Sequence, residues 1–176
     1  MRLFIALDLS DDAKQSIEEL KKGLIGIKGV KPVAKENLHI TLKFLGEVAD
    51  DKVLVITQAL SLVKFKKFNL TLGKLGVFPN EDKIQVIWVD TEPMDQLMKL
   101  KQQIDHSLPN FKDDHPFKNH LTFARVKYIA NESDKKKILD VIKNGKVEKA
   151  EFLVDKIVLY KSKLTPEGPV YEAIKP

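Results

Sequence analysis

The sequence contains no cysteine, so neither a disulfide nor a thiolate metal site can hold the fold together. No apolar run approaches the ~18 residues of a membrane-spanning helix. The opening segment Met1–Asp8 is also interrupted too early for a secretory signal. We therefore expect a cytoplasmic protein with no membrane partner. Arginine is scarce as well, since only Arg2 and Arg125 stand among 30 basic residues.

The composition suits a folded protein of moderate size. The 176 residues are 43% hydrophobic, which is enough to bury a core, and the length fits one compact unit or two closely packed lobes. The formal net charge of +5 fits an anionic ligand, but it is equally typical of a protein that uses charge for solubility. We expect a monomer without a cofactor.

Two short segments resemble each other across half of the chain. Each has His-x-Thr within an apolar, strand-like run, with His39 and Thr41 in the first and His120 and Thr122 in the second. Successive side chains of a strand point to opposite faces, so each histidine shares a face with its threonine. Two chance occurrences have a probability on the order of 1%. Two imidazoles brought together by a duplicated fold can act as general acid and general base without a metal.

The order of the predicted elements also repeats. Strand, helix, motif strand, helix and two strands occur over about 2–80 and again over about 83–165, and 169–174 form a final strand. A repeat of about 82 residues is too long for a solenoid unit and indicates a duplicated lobe. We predict an α+β fold that makes one domain over 1–176. Its two pseudo-symmetric lobes would each be an antiparallel sheet with helices packed outside, around a central cleft.

Capping residues and turn signals predict several boundaries. Ser10 and Ser133 are the expected N-caps of the first and last helices. Two short strands are expected over 68–72 and 75–78, before the turn signal at 79–82.

Beyond the two motifs, the sequence resembles a known family along nearly its whole length. The segments that carry the resemblance are Arg2–Leu7, Glu36–Gly46, Val77–Asn80, Ile87–Val89, Pro116–Val126, Leu159–Leu164 and Gly168–Tyr171. In this order they are similar to the RNA 2′,3′-cyclic phosphodiesterases, also called 2′-5′ RNA ligases, of the two-histidine phosphoesterase superfamily. The resemblance implies a cleft that binds RNA ends bearing a 2′,3′-cyclic phosphate. It also implies that His39 is the proton donor, that His120 is the proton acceptor and that the product is a 2′-phosphate.

The four motif residues supply what this chemistry requires. Opening a cyclic phosphate needs a base for water, an acid for the departing sugar oxygen and donors for the phosphoryl oxygens, and Thr41 and Thr122 can be those donors. If the 5′-hydroxyl of another RNA replaces water, the same displacement gives a 2′-5′ linkage without ATP. Phosphodiesterase and ligase activities would then share one metal-independent site.

Arg125 and Lys43 are candidate phosphate ligands. An arginine can hold a phosphate bidentately, but strict alternation puts Arg125 on the face opposite His120 unless a bulge re-aims it, and an ion pair is the alternative. Lys43 has the same parity as His39, which predicts a phosphate contact, with a solvated lysine as the alternative.

Tyr160 and Ser162 share one face of a late strand and are candidate contacts for the base or ribose, or else structural residues. Phe44 is expected in the core. No metal site is predicted, because no second cluster of ligands accompanies His115 and Asp113.

Two other functions stay open for the sequence. A noncatalytic module that binds RNA or nucleotides would suit the positive charge, but binding alone has no use for two groups that titrate near neutrality. A phosphodiesterase of the same superfamily that acts on a small cyclic nucleotide would need the same residues, and only the size of the pocket would separate it from an RNA enzyme.

Overall fold

Two antiparallel β-sheets form the framework of the computed structural model, which describes residues 1–113, 115–147, 150–166 and 168–174. The strands in these residues are β1 (Arg2–Asp8), β2 (Val30–Pro32), β3 (His39–Glu47), β4 (Phe68–Pro79), β5 (Ile84–Glu92), β6 (Leu121–Val126), β7 (Glu151–Val154), β8 (Val158–Thr165) and β9 (Gly168–Ile174). The α-helices there are α1 (Asp11–Lys21), α2 (Val53–Ser61), α3 (Met94–Ser107) and α4 (Glu132–Asn144).

Each sheet combines strands from both halves of the chain. The first sheet has the order β3-β1-β8-β9, and the second has the order β2-β6-β5-β4-β7. β2 and β4 of the first half thus join the second sheet, while β8 and β9 of the second half join the first. The predicted α+β fold with two antiparallel lobes is confirmed, and the single domain with an internal repeat stays a prediction.

Amphipathic helices cover the two sheets. α1 contacts β6 and β7, α4 contacts β4, α3 contacts β3, and α2 packs on α3. The buried side chains recur at helical spacing, with Ala13, Ile17 and Leu20 on α1 and Leu97, Leu100 and Ile104 on α3. Each fully buried large side chain contributes about 1.5–3 kcal/mol, so these faces fix the helices to the sheets. Within the described ranges, none of the helices has both the length and the hydropathy to span a membrane.

The two predicted helix caps have different outcomes. Ser10 caps α1, because its Oγ accepts a hydrogen bond of 3.2 Å from the backbone N–H of Ala13. The prediction for Ser133 is wrong, since that residue lies inside α4. Asn131 is the N-cap instead, and its Oδ1 accepts a hydrogen bond of 2.9 Å from the backbone N–H of Asp134. Both residue types suit an N-cap, and the chain begins the helix at the earlier one.

The two short strands predicted before the turn form one long strand, β4. Its register against β5 shifts between Leu72 and Leu75, where the backbone N–H of Lys74 donates a 2.5 Å hydrogen bond to Asp90 Oδ1. The carboxylate takes over a donor that the regular ladder would have paired, so the strand continues through the irregularity.

Candidate active site

A cavity of about 590 Å³ lies between the two sheets. Its lining includes the histidine and threonine of each motif, with His39 and Thr41 on β3 and Thr122 on β6. His120 stands immediately before β6, so the second motif strand is shorter than the sequence predicts. β3 and β6 contact each other, which brings both motifs to one cavity.

The His39 ring is held by hydrogen bonds at both nitrogens. Nδ1 lies 2.7 Å from the carbonyl oxygen of Asn37, and Nε2 lies 3.0 Å from Thr41 Oγ1. A carbonyl only accepts, so Nδ1 carries a proton, and Nε2 of the neutral ring is the basic nitrogen. The Asn37 side chain also donates a 2.9 Å hydrogen bond to the carbonyl of Pro169, which ties this segment to β9.

The His120 ring is oriented in the same way. Its Nδ1 lies 2.8 Å from the carbonyl oxygen of Lys118, again two residues earlier in the chain. Asn119 fixes the intervening backbone through two hydrogen bonds with Thr91: the Thr91 hydroxyl donates to Oδ1 at 2.9 Å, and Nδ2 donates to the Thr91 carbonyl at 2.5 Å. Both imidazoles therefore keep Nδ1 occupied and leave Nε2 as the nitrogen for proton transfer.

Burial lowers the pKa of both histidines below their ordinary value of 6.5. At His39, the hydrogen bond to the Asn37 carbonyl and the Asp8 carboxylate oppose this effect, while the charges of His120 and Arg125 add to it. At His120, the hydrogen bond to the Lys118 carbonyl raises the pKa, and the cationic groups of Arg125 and Lys118 lower it. Among the residues that the structure describes, a carboxylate raises the pKa of His39 but not that of His120, so charge separates the two rings.

Aromatic side chains pack against both imidazoles. The Phe4 ring centroid is 4.9 Å from that of His39, and Tyr171 meets His39 edge-on at 5.1 Å. Phe78 meets His120 edge-on at 5.2 Å. These rings contribute to the burial that lowers both imidazole pKa values, and they restrict how each imidazole can turn.

A register shift occurs at the same place in both motif strands. Opposite β1, the register moves from Thr41 to Lys43 and leaves Leu42 as an extra residue, and opposite β5 it moves from Thr122 to Ala124 and leaves Phe123. Such an extra residue reverses the alternation of side chains beyond it. The faces predicted from parity therefore change after Leu42 and after Phe123.

The bulge at Phe123 turns Arg125 towards the cavity, where it lines the same wall as Thr122. Strict alternation would have put Arg125 on the opposite face. The predicted phosphate contact of Arg125 required a bulge, and the structure has one at Phe123. The bulge at Leu42 acts equally on Phe44, which lines the cavity and is 62% exposed. The expected place of Phe44 in the core is wrong.

The same bulge turns Lys43 away from the cavity, so the predicted phosphate contact is wrong. Lys43 is 3% exposed and belongs to a charge quartet with Lys101, Asp105 and Asp113. Lys43 Nζ lies 2.7 Å from Asp105 Oδ1, and Lys101 Nζ lies 2.6 Å from the same oxygen and 2.5 Å from Asp113 Oδ2. The quartet joins β3, α3 and the loop that leads to the second motif.

The two candidates on β8 lie differently. Ser162 lines the cavity, whereas Tyr160 stacks on Phe4 with 5.3 Å between ring centroids. Burial raises the pKa of the Tyr160 hydroxyl, and Asp8 raises it further. Tyr160 thus belongs to the aromatic cluster around His39.

Sequence reasoning missed several residues of the cavity. Arg2, Phe4 and Tyr171 line it, and Asn37 orients His39. Arg2 had a signal in the sequence, as one of two arginines in a lysine-rich chain. The others depend on which strands become neighbours, and local pattern does not contain that information. In the described part of the chain, no group of three or more His, Cys, Asp or Glu side chains is arranged to hold a metal ion.

Comparison with known proteins places the chain among phosphoesterases. The model of the family described as LigT-like phosphoesterase matches residues 7–88 and again residues 89–171. A Methanocaldococcus jannaschii protein named RNA 2′,3′-cyclic phosphodiesterase is 42% identical over 179 residues, which cover 99% of each chain. A protein of the same name from Archaeoglobus fulgidus is 36% identical, covering 99% of this chain and 98% of its own.

Solved structures have the same fold. The crystal structure of a Thermus thermophilus protein, TT0787, matches with a TM-score of 0.82 and 27% sequence identity, over 99% of this chain and 96% of that one. The two-sheet fold is therefore shared with a solved protein over almost the full length of both.

Proposed function

The chain belongs to the LigT-like phosphoesterase family, and we propose that it is an RNA 2′,3′-cyclic phosphodiesterase that opens terminal cyclic phosphates to 2′-phosphates without a metal. The observation that carries the proposal is the convergence of both His-x-Thr pairs on one cavity, each histidine with Nδ1 bound to the carbonyl two residues earlier. The names of the relatives support RNA ends with a cyclic phosphate as the substrate.

We assign the proton-transfer roles from the charges around the two rings. Arg125 favours the neutral form of both rings, but His39 also has the Asp8 carboxylate, which favours its protonated form, whereas His120 has the Lys118 ammonium, which favours its neutral form. His39 is then the general acid and His120 the general base, each expected to contribute ~10²–10⁴ in rate. The assignment agrees with the roles that the sequence resemblance implies.

In the proposed reaction, His120 Nε2 takes a proton from water as the water oxygen bonds to phosphorus. The bond between phosphorus and O3′ breaks, and the His39 imidazolium gives its proton to O3′. The product has a 2′-phosphate and a 3′-hydroxyl, and exchange of protons with solvent restores the two rings. The Thr122 hydroxyl donates to a non-bridging oxygen, and the Thr41 hydroxyl does the same once O3′ replaces it as the partner of His39 Nε2. The Arg125 guanidinium neutralises the charge of these oxygens.

The same site would support 2′-5′ ligation. If the 5′-hydroxyl of a second RNA takes the place of water, the cyclic phosphate supplies the activation and ATP is not needed. We expect ligation only where RNA ends are concentrated enough to compete with water. The monomeric state and the cytoplasmic location stay predictions.

The test is hydrolysis of an RNA oligonucleotide that ends in a 2′,3′-cyclic phosphate, in the presence of EDTA, with separation of 2′- and 3′-phosphate products. We expect 2′-phosphate, with loss of about 10²-fold or more in kcat for His39→Ala and for His120→Ala. His106→Ala is the matched control, because His106 lies on α3 and does not line the cavity. A requirement for a divalent ion, a 3′-phosphate product or full activity in either cavity variant would contradict the proposal.

A further inference from the structure

Both arginines of this lysine-rich chain lie on the same cavity. Arg125 reaches it from β6 in the second sheet, and Arg2 reaches it from β1 in the first sheet. The planar guanidinium matches phosphate oxygens in a way that an ammonium does not. Arg125 lies on the strand of the second motif, whereas Arg2 lies on the other sheet, so the two guanidinium groups can bind two different anions.

Arg2 is not neutralised by a carboxylate among the residues that the structure describes. Glu47 stands opposite Arg2 in the register of β1 and β3, but its carboxylate lies 3.6 Å from the amino group of Met1. Glu36 also lines the cavity, and it forms no ion pair with Arg2 in the described residues. The Arg2 guanidinium is thus available to a ligand.

Two hydroxyl groups accompany Arg2. Arg2 pairs with Ser162 between β1 and β8, and Ser162 pairs with Tyr171 between β8 and β9, so the three residues form a row across three adjacent strands. All three line the cavity. Burial raises the pKa of Tyr171, against the opposing charges of Arg125 and Arg2, so its hydroxyl stays a hydrogen-bond donor at neutral pH.

The row lies beside the histidine site and does not coincide with it. Phe4, whose ring contacts His39, is two residues from Arg2 along β1, a rise of roughly 7 Å for an extended strand. Tyr171 spans the gap, because its ring edge meets His39 while its strand position adjoins Ser162. Arg2 is therefore the next residue along β1 on the cavity side of Phe4, adjacent to the histidine site.

We propose that Arg2, with the hydroxyls of Ser162 and Tyr171, binds the phosphodiester that joins the terminal nucleotide to the next one in the RNA. The inference rests on the proposed function and specifies its substrate class. The substrate is an RNA of at least two nucleotides, in preference to a free nucleoside cyclic phosphate, and the negative charge of the linking phosphodiester is the recognised feature.

The experiment compares three substrates that end in the same 2′,3′-cyclic phosphate: the mononucleotide, the dinucleotide, and the dinucleotide with an uncharged methylphosphonate linkage. For the unmodified protein we expect kcat/KM for the natural dinucleotide to exceed that for the methylphosphonate by about 10- to 100-fold, the range of a charged hydrogen bond. In Arg2→Gln this preference should fall to less than about 3-fold. The ratio of kcat/KM for the methylphosphonate dinucleotide to kcat/KM for the mononucleotide should stay as in the unmodified protein.

Two variants are matched controls. Arg125→Gln should lower kcat/KM for all three substrates by a similar factor, because its proposed contact is with the reacting phosphate. Lys163→Gln removes one positive charge from an exposed position on β8 and should leave the preference intact. Thermal unfolding of each variant verifies that it is folded.

The outcomes separate this inference from the proposed function. Equal kcat/KM of the unmodified protein for the natural and methylphosphonate dinucleotides would overturn the inference, without reliance on any variant. So would a preference that persists in Arg2→Gln, or an equal loss on all three substrates. If the unmodified protein hydrolyses none of them, the proposed function itself is contradicted.

Discussion

The charge quartet predicts unequal effects of mutation on stability, because its two lysines are more deeply buried than its two aspartates. The side chains of Lys43 and Lys101 are 2% and 3% exposed, whereas those of Asp105 and Asp113 are 40% and 28% exposed. Asp105→Asn leaves two buried ammonium groups with Asp113 as their remaining carboxylate. Lys43→Met leaves two partly exposed carboxylates with Lys101, and water can solvate them. We therefore expect Asp105→Asn to lower the free energy of unfolding more than Lys43→Met does.

The size of the effect follows from these exposures. Breaking a buried ion pair by removing one partner costs about 3–5 kcal/mol, and partial exposure of Asp105 reduces the expected cost for Asp105→Asn to about 2–3 kcal/mol. Lys43→Met, which also replaces the stem by an apolar chain of similar length, should cost about 1 kcal/mol or less. For a chain of this size, about 2–3 kcal/mol corresponds to a fall in Tm of roughly 5–10 °C.

The quartet also predicts a pH dependence. Burial alone would raise the pKa of Asp105, but hydrogen bonds from Lys101 and Lys43 outweigh it and hold the pKa below its usual value. A carboxyl whose pKa is lowered in the folded state contributes its full stabilisation above its unfolded-state pKa, about 4. That stabilisation is lost as the pH falls through the folded-state pKa. The difference between the unmodified protein and Asp105→Asn should therefore shrink below about pH 4.

Urea unfolding at several pH values measures these differences as shifts in midpoint at constant m-value. Asp140→Asn is the matched control, because Asp140 is an exposed residue of α4, and it should change stability by less than about 0.5 kcal/mol. If Lys43→Met destabilises as much as Asp105→Asn, or if the two changes are additive in the double variant, the buried quartet does not act as a unit and the reasoning is refuted.

Three further predictions concern catalysis and a helix cap. The pH profile of kcat/KM should peak below about pH 6.5, because burial lowers the pKa of His39 and His120 in the free enzyme. The kcat profile should lie at higher pH, because bound phosphate favours the imidazolium form of both rings. A kcat/KM maximum above pH 7 would contradict this prediction. Asn119→Ala removes both hydrogen bonds to Thr91 and should lower kcat about 10-fold with little change in KM, whereas an equal rise in KM would point to a binding role. Ser10→Ala should cost about 1 kcal/mol in urea unfolding and leave the kinetics unchanged.

The sequence contained the elements and their periodicity, so the α+β class and most helices and strands could be predicted from it. The helix spacing of Ile17 and Leu20, or of Leu97 and Leu100, is a local property that the packed structure keeps. Which strands become neighbours is not a local property of the sequence. The pattern within one repeat therefore does not predict that β4 and β8 join the sheet of the other half.

Parity along a strand failed at the two bulges for a physical reason. Whether Leu42 or Phe123 becomes an extra residue depends on how the partner strand pairs. The short apolar run around each residue does not predict it. The consequence is large, because one extra residue exchanges the faces of the residues that follow it up to the next irregularity. It moved Lys43 into the charge quartet, Phe44 into the cavity and Arg125 to the side of the motif.

The most direct test of the account is an NMR titration of the two cavity imidazoles with and without a bound 2′-phosphorylated nucleotide, the proposed product. One phosphate between both rings should raise the pKa of His39 and of His120 together, since its negative charge favours both protonated forms. The signals of His106 and His115, which do not line the cavity, serve as internal controls. A rise at only one cavity histidine, or at neither when the nucleotide is bound, would contradict the claim that the two motifs act on a single phosphorus atom.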